Sequence, residues 1–146
     1  MRGLEHLHKD VRAKAELFVS RCLEAGLKVK IADTLRTKAE QDALYAQGRT
    51  APGNIVTKVQ YPSSMHNWGV AFDIIRDDGT GIYNEAGGWF EKVGEIGESL
   101  GFTWGGRWAS FPDKPHFEDR SVGGDVKALA AKYGTPDKFL GRQTTT

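Results

Sequence analysis

The spacing of apolar residues predicts that helices and strands alternate along this chain. Steps of three and four residues indicate amphipathic helices, as where Val11, Ala15 and Phe18 form one stripe. Alternation of apolar residues with lysines over 27–31 indicates a half-buried strand. The predicted helices are 8–25, 38–47, 88–100 and 122–133; the predicted strands are 27–35 and 69–76, with a short extended piece that runs to Glu118. This order predicts an α+β fold in which helices flank a small antiparallel sheet.

Local signals predict where one helix begins and where regular structure stops. Thr37 and Glu40 have the spacing of a capping box, which favours a helix start between them. The stretch 48–63 contains glycine and proline but no sustained period, so we predict a long loop that leads to His66. The last residues, from about 134 to 146, are expected to form a frayed tail.

Composition narrows the classes of protein to consider. A chain of 146 residues fits a single domain, and a hydrophobic content of 39% excludes intrinsic disorder. The formal net charge of +1 does not create the strong positive potential that attracts nucleic acid. No stretch has the roughly 20 apolar residues of a transmembrane segment, and the first residues lack the apolar core of a signal peptide. We therefore expect synthesis in the cytoplasm.

Two histidines and two aspartates form the main candidate for a metal-binding or catalytic site. His66 precedes Asp73 by seven residues, and Asp113 precedes His116 by three. Because Cys22 is the only cysteine, a metal would be held by histidine and carboxylate. Two histidines and one carboxylate make a three-ligand zinc site with an open position, as hydrolytic zinc enzymes use. By ligand type alone, manganese or iron remain alternatives.

The spacing of these residues limits where each of them can lie. Seven residues on a regular strand would place His66 and Asp73 on opposite faces, so we expect His66 on a loop that folds over the strand. Pro115 disfavours a helix, so Asp113 is expected to lie on a turn beside the metal, where a general base belongs. Glu118 shares a strand face with His116, and we interpret it as a partner that orients the imidazole rather than as the base.

Several stretches of the sequence resemble a known family. SMHNWGVAFD at 64–73 resembles the S-x-H-x-x-G-x-A-x-D signature of zinc peptidases that include bacterial D-Ala-D-Ala carboxypeptidases and dipeptidases. DKPH at 113–116 resembles their second motif. TLRT at 34–37, QDALYAQGRT at 41–50 and LGFTWGG at 100–106 are similar to the branch that contains phage endolysins cutting the L-alanyl-D-glutamate bond of peptidoglycan. The resemblance covers residues 30–120.

The resemblance implies a fold and a set of roles. The fold is the zinc fold shared by hedgehog proteins and D-Ala-D-Ala peptidases. One zinc ion would be bound by His66, Asp73 and His116, with Asp113 as the catalytic acid and base. Arg36 matches an arginine that binds substrate or polarises the scissile carbonyl. Two further residues are expected at the substrate, namely Ser64 and Trp104, although an aromatic in this region can equally belong to the core.

The resemblance also implies a function. We expect a zinc peptidase that hydrolyses the L-alanyl-D-glutamate bond of peptidoglycan stem peptides, as a monomeric, bacteriolytic endolysin of a phage or prophage. It would be made in the host cytoplasm and reach the wall after release by a holin, with no separate wall-binding domain. A D,D-carboxypeptidase that removes terminal D-alanine is the main alternative. A non-catalytic zinc-binding module ranks lower, because Asp113 is present.

Overall fold

The computed structural model describes residues 1–141. Within them, the α-helices are α1 (Lys9–Glu24), α2 (Lys38–Ala46), α3 (Trp89–Ser99), α4 (Val126–Tyr133) and α5 (Pro136–Leu140), and the strands are β1 (Val29–Asp33), β2 (Ala71–Arg76), β3 (Thr103–Trp104) and β4 (His116–Glu118). Short 3₁₀ helices include Met65–Trp68, which directly precedes β2. None of the described helices combines the length and apolar character needed to cross a membrane.

The four strands form the small antiparallel sheet that the sequence predicts. Their order is β1-β2-β4-β3, and every neighbouring pair is antiparallel. Phe72 of β2 lies opposite Phe117 of β4, and Asp73 lies opposite His116. Because residues that face each other across an antiparallel pair point to the same side, the phenylalanines share one face and the polar pair shares the other. The sheet therefore has an apolar face and a polar face.

The apolar face carries the core, which α1 and α3 cover. Phe18 of α1 packs against Phe72 and Phe117, with ring centroids 5.6 and 4.9 Å apart, and Phe102 completes the cluster. All four phenylalanines are buried. Clusters of tilted and edge-on rings stabilise such cores beyond the burial of their area. The predicted stripe of α1 is confirmed, and it fixes this helix to the apolar face.

Helix starts depend on capping side chains. Thr37 accepts a hydrogen bond from the Glu40 amide and the Glu40 carboxylate accepts one from the Thr37 amide, so the predicted capping box is confirmed. The helix predicted over 122–133 begins later than expected, because Asp125 caps it by accepting from the Ala128 amide at 2.9 Å.

The expectation of a frayed tail from residue 134 is wrong for its first part. Residues 136–140 form α5, which Thr135 caps, and residues 142–146 lie outside the described residues. Phe139 packs its ring against His8, Trp68 and Tyr133, with centroids 4.9, 6.0 and 4.8 Å away. This aromatic contact joins α5 to the start of α1, to α4 and to the 3₁₀ helix before β2.

Candidate metal centre and active-site cleft

The polar face of the sheet places Asp73 and His116 side by side. Because the two residues are directly paired between β2 and β4, the Asp73 Oδ1 atom lies 3.2 Å from His116 Nδ1. His116 is buried, whereas Asp73 is partly open to a cleft. The strand register alone therefore brings together two of the three predicted ligands.

His66 reaches the same carboxylate from the 3₁₀ helix that precedes β2, as a position off the strand predicts. Its Nε2 atom lies 3.3 Å from Asp73 Oδ1. Ser64 caps this short helix by accepting from the His66 amide at 3.2 Å. Gly69 ends it with φ of 68°, in the left-handed region that favours glycine, and so turns the chain into β2.

Each imidazole is oriented by a hydrogen bond at its other nitrogen. His66 Nδ1 lies 2.8 Å from the Thr34 carbonyl oxygen and must donate to it. His116 Nε2 lies 2.7 Å from Glu118 Oε1, and Arg120 donates to the same carboxylate at 2.8 Å. In the neutral form of each ring, these contacts direct the lone pairs of His66 Nε2 and His116 Nδ1 toward Asp73. Glu118 therefore occupies the orienting position that its strand face predicts.

The three side chains fit the requirements of a metal site. One ligand atom from each of His66, Asp73 and His116 lies within 4.8 Å of the others. Two ligands of a tetrahedral zinc ion, each about 2.1 Å from the metal, lie about 3.4 Å apart. The separations of 3.3 and 3.2 Å between the imidazole nitrogens and the Asp73 oxygen match this value. Two neutral imidazoles and one carboxylate suit zinc and leave a fourth position open.

The electrostatics of the three groups are coupled. Burial acts to raise the pKa of Asp73, but the charge of His66 and the hydrogen bond from His116 hold it well below its usual range. Burial acts to lower the pKa of His116, but hydrogen bonds to Asp73 and Glu118 raise it to about 9. A divalent cation among these atoms would take the place of the shared protons.

Asp113 lies at the same cleft without belonging to this cluster of ligand atoms. Its amide donates to the Gly105 carbonyl at 2.9 Å, and its own carbonyl accepts from the His116 amide at 3.1 Å. A Cβ at Gly105 would overlap the Asp113 carbonyl oxygen, so only glycine permits this close approach. Partial desolvation and the charge of Asp73 raise the pKa of Asp113. A carboxylate with a raised pKa is a better proton acceptor in neutral solution.

Arg36 also lines the cleft, and two neighbours hold its guanidinium. Nη2 lies 2.9 Å from Asp33 Oδ2, and Nη1 donates to the Gln41 amide oxygen at 3.1 Å. Its Nε has no hydrogen-bond partner among the described residues. The Arg36 amide donates to the His66 carbonyl at 3.0 Å, which fixes this arginine to the segment that contains His66.

The cleft has a volume of about 780 Å³, and residues from several loops line it. The long loop predicted over 48–63 contributes residues 56–59, and Ser64 lies on the wall beside it. Trp108 also lines the cleft, and its ring centroid lies 5.1 Å from that of His116. The long loop therefore serves as one wall of the site.

The predicted substrate contact of Trp104 is wrong. Its side chain is only 3% exposed, its ring packs against Gly94, and its indole nitrogen donates to the Lys114 carbonyl at 2.8 Å. Trp104 belongs to the core because the absence of a side chain at Gly94 creates room for the indole beside α3. Trp108, in contrast, lies at the cleft.

Gln41 is completely buried beside the site, a role that the sequence analysis did not predict. Its side-chain oxygen accepts from Arg36 and from Asn67, and its nitrogen donates to the Val59 carbonyl at 2.8 Å. The available signal was its place at the start of the QDALYAQGRT stretch, a polar residue on the inner side of α2. This one amide links α2 to Arg36, to the segment that contains His66 and to the cleft wall.

Comparison with known proteins places the chain in a family. The family model described as D-alanyl-D-alanine carboxypeptidase, from the M15 peptidases, matches residues 57–119. The peptidoglycan L-alanyl-D-glutamate endopeptidase CwlK of Bacillus subtilis (strain 168) is 40% identical over an alignment of 122 residues, which covers 77% of this chain and 72% of that protein. This similarity confirms the resemblance that the motifs carry.

Two further proteins extend the comparison. The L-alanyl-D-glutamate peptidase of Listeria phage A118 is 31% identical over 94% of this chain, which spans about half (48%) of that protein's length. The crystal structure of the Serratia marcescens L-Ala D-Glu endopeptidase ChiX shares the fold, with a TM-score of 0.56, 21% identity and coverage of 79% of this chain and 81% of that one. The chain therefore belongs to the M15 peptidase family and is a hydrolase of that family.

Proposed function

We propose that this protein is a zinc endopeptidase that hydrolyses the L-alanyl-D-glutamate bond of peptidoglycan stem peptides. The observation that carries the proposal is the cleft in which Asp113 and Arg36 accompany a zinc-compatible His66, Asp73 and His116 cluster. The 40% identity to an enzyme named for this activity supports the choice of bond. The substrate would be the stem peptide of the cell wall.

The residues of the cleft have complementary roles in the proposed reaction. Zinc, when bound by His66, Asp73 and His116, supplies a Lewis acid that acidifies water and stabilises negative charge on oxygen. Asp113 accepts a proton from the attacking water and delivers it to the leaving amine. Arg36 binds the scissile carbonyl and stabilises the charge that develops on it. Trp108 and the loop wall limit access of bulk water to the reacting atoms.

The biological setting belongs to the same proposal. We infer a bacteriolytic endolysin of a phage or prophage, supported by the 31% identity to the phage peptidase. Such an enzyme is made in the host cytoplasm and acts on the wall after holin-type release. We further propose that the chain acts as a monomer and that its described residues form one peptidase domain.

The alternative function is a D,D-carboxypeptidase that removes terminal D-alanine. It is favoured by the description of the matching family model, D-alanyl-D-alanine carboxypeptidase. The same ligands and the same base serve either bond, so the difference depends on how the cleft receives the substrate. A non-catalytic zinc module ranks below both, because it has no use for a carboxylate such as Asp113 at the cleft.

Mass spectrometry of digested peptidoglycan tests the proposal. Purified wall is incubated with the zinc-loaded protein and, as a control, with the chelated protein, and the newly freed amine is located. A new amino terminus on D-glutamate supports the endopeptidase. Release of terminal D-alanine instead favours the carboxypeptidase, and an intact wall despite stoichiometric zinc binding favours the binding module.

A further inference from the structure

The long loop that walls the cleft is tied down on both sides of Lys58. Gln41 donates to the Val59 carbonyl at 2.8 Å, and Arg49 donates to the Thr57 carbonyl at 3.1 Å. Gln41 is fully buried and belongs to α2, and Arg49 lies just beyond the end of that helix. Because the backbone is anchored on both sides, the position of Lys58 at the cleft is defined by the fold.

The side chain of Lys58 extends to an unusual aromatic residue. Its Nζ atom lies 3.5 Å from the centroid of the Phe111 ring, a close cation–π contact. Phe111 is 71% exposed and has φ of 55°, a region that bulky residues rarely adopt. Strained and exposed residues of this kind concentrate at functional sites. Phe111 precedes Asp113 by two positions, so this contact holds the ammonium toward the Asp113 side of the cleft.

Lys58 has a positive charge that no carboxylate of residues 1–141 neutralises. Four cationic side chains line the cleft, and two of them, Arg36 and Arg120, form ion pairs with acidic neighbours at 2.9 and 2.8 Å. Among residues 1–141, no carboxylate lies within 4.0 Å of the ammonium of Lys58 or Lys127. Of these two, Lys58 is the one held by an aromatic ring. It is therefore the cation best placed to receive an anionic group of a substrate.

The proposed substrate has such a group next to the bond that is cut. Glutamate has two carboxyl groups, and when one of them continues the peptide, the other remains ionised near the scissile amide. We propose that Lys58 binds this free carboxylate and makes the cleft selective for D-glutamate over its amidated form. The inference rests on the proposed endopeptidase function and adds a specificity-determining residue to it. A hydrogen bond between charged groups corresponds to about a tenfold difference in kcat/KM.

Two soluble peptides test the inference. Both contain L-alanine followed by D-glutamate that continues through its side chain, and they differ only in a free α-carboxylate or an α-carboxamide. The kcat/KM is measured for the zinc-loaded wild type and for Lys58→Met, Lys58→Glu and Lys127→Met. The wild type prefers the acid about tenfold, Lys58→Met cleaves the acid as slowly as the amide, and Lys58→Glu prefers the amide. Lys127→Met retains the wild-type preference.

The outcomes separate this inference from the function on which it rests. A reversed preference in Lys58→Glu cannot result from a folding defect, since such a defect lowers both rates. Equal cleavage of both peptides by the wild type, an unchanged preference in Lys58→Met, or a preference lost in Lys127→Met overturns the role of Lys58 and leaves the endopeptidase in place. If the wild type cuts neither peptide after L-alanine, the proposed function fails with it.

Discussion

At the scale of single residues, the site depends on two imidazole rings, each held by a contact at both of its nitrogens. His116 contacts Asp73 through Nδ1 at 3.2 Å and Glu118 through Nε2 at 2.7 Å, so its ring has one orientation and, when neutral, one tautomer suited to metal binding. The ring of His66 is oriented in the same way by the hydrogen bond between its Nδ1 atom and the Thr34 carbonyl. Asp113 lacks such a contact with the ligand cluster and remains available to a proton. This difference distinguishes the proposed metal ligands from the proposed base.

The separation predicts different losses in two variants. We expect Asp113→Asn to lower kcat at least a hundredfold, because general acid and base catalysis contributes about 10² to 10⁴. The variant should retain one zinc ion, since Asp113 is not among the ligand atoms. His116→Ala should lose both zinc and turnover. Zinc content by atomic emission and turnover are measured on the same preparations, and equal zinc loss in the two variants contradicts the assignment.

Glu118 offers a second prediction at this scale. Glu118→Gln keeps the size of the side chain but removes the charge that orients His116 and increases its basicity. We expect zinc affinity to fall about tenfold or more, as is usual when such a partner is changed. Turnover should recover when the zinc concentration is raised. Competition with a chelator measures the affinity, and an affinity equal to that of the wild type rules out the orienting role.

At the scale of elements, α2 supports the cleft wall. The loop after α2 has no regular structure of its own, and Gln41 and Arg49 hold it through backbone carbonyls. Helix α5 supports another side of the site, at the 3₁₀ helix that precedes β2. Leu140 lies so close to Gly69 that a Cβ on Gly69 would be 3.1 Å from the Leu140 Cδ2 atom, and Phe139 packs on Trp68 of the 3₁₀ helix that contains His66.

Replacement of the buried amide should loosen the loop. We expect Gln41→Leu to lower the free energy of unfolding by about 1–3 kcal/mol, because Arg36 Nη1 and the Val59 carbonyl each lose the hydrogen bond to Gln41. KM should rise as the wall becomes mobile. Gln60→Leu makes the same chemical change at an exposed position of the same loop and serves as the control. Hydrogen exchange of residues 57–60 reports the loosening, and exchange as slow as in the control contradicts it.

Helix α5 should contribute measurably to stability. We expect Phe139→Ala to reduce the free energy of unfolding by about 2 kcal/mol, because a half-buried ring with three aromatic neighbours is lost. Lys138→Ala, at an exposed position on the same helix, should change it by less than about 0.5 kcal/mol. Denaturant unfolding provides both values. A frayed tail would make the two variants indistinguishable.

At the scale of the whole molecule, one sheet separates packing from chemistry. Phe72 and Phe117 pair on the face that α1 and α3 cover, while Asp73 and His116 pair on the face that opens to the cleft. A single strand register thus builds the core and the site together. A shift of this register by one residue would exchange the two faces and destroy both. The fold and the proposed chemistry are therefore inseparable.

The parts of this arrangement that carry residue-level signals could be predicted from the sequence. Spacing and residue type indicate the apolar stripe of α1, the capping box at Thr37 and the position of His66 off the strand. The Thr34 carbonyl could not be foreseen as the partner of His66, because a backbone group leaves no signature. Helix α5 is too short to show a period. Trp104 was misplaced because its burial depends on Gly94, a contact between distant segments.

Zinc should stabilise the fold in a manner that depends on pH. In the metal-free protein, the pKa of His116 is raised from 6.5 to about 9, so the stability from its protonated form is complete below about pH 6.5 and lost as pH rises through about 9. Zinc competes with that proton, so its effect on Tm should grow between pH 6 and 9. At a thousandfold excess over Kd, zinc adds about 4 kcal/mol. Calorimetry checks this, and a pH-independent zinc effect contradicts it.

A competition between two bonds of one peptide tests whether this cleft cuts after L-alanine. A synthetic stem peptide that offers both an L-alanyl-D-glutamate bond and a terminal D-alanyl-D-alanine bond is incubated with the zinc-loaded protein, and its products are followed by mass spectrometry. We expect free L-alanine and a peptide that begins with D-glutamate to appear first, and Asp113→Asn to release both at least about a hundredfold more slowly. Release of D-alanine from an otherwise intact peptide contradicts the proposed endopeptidase function.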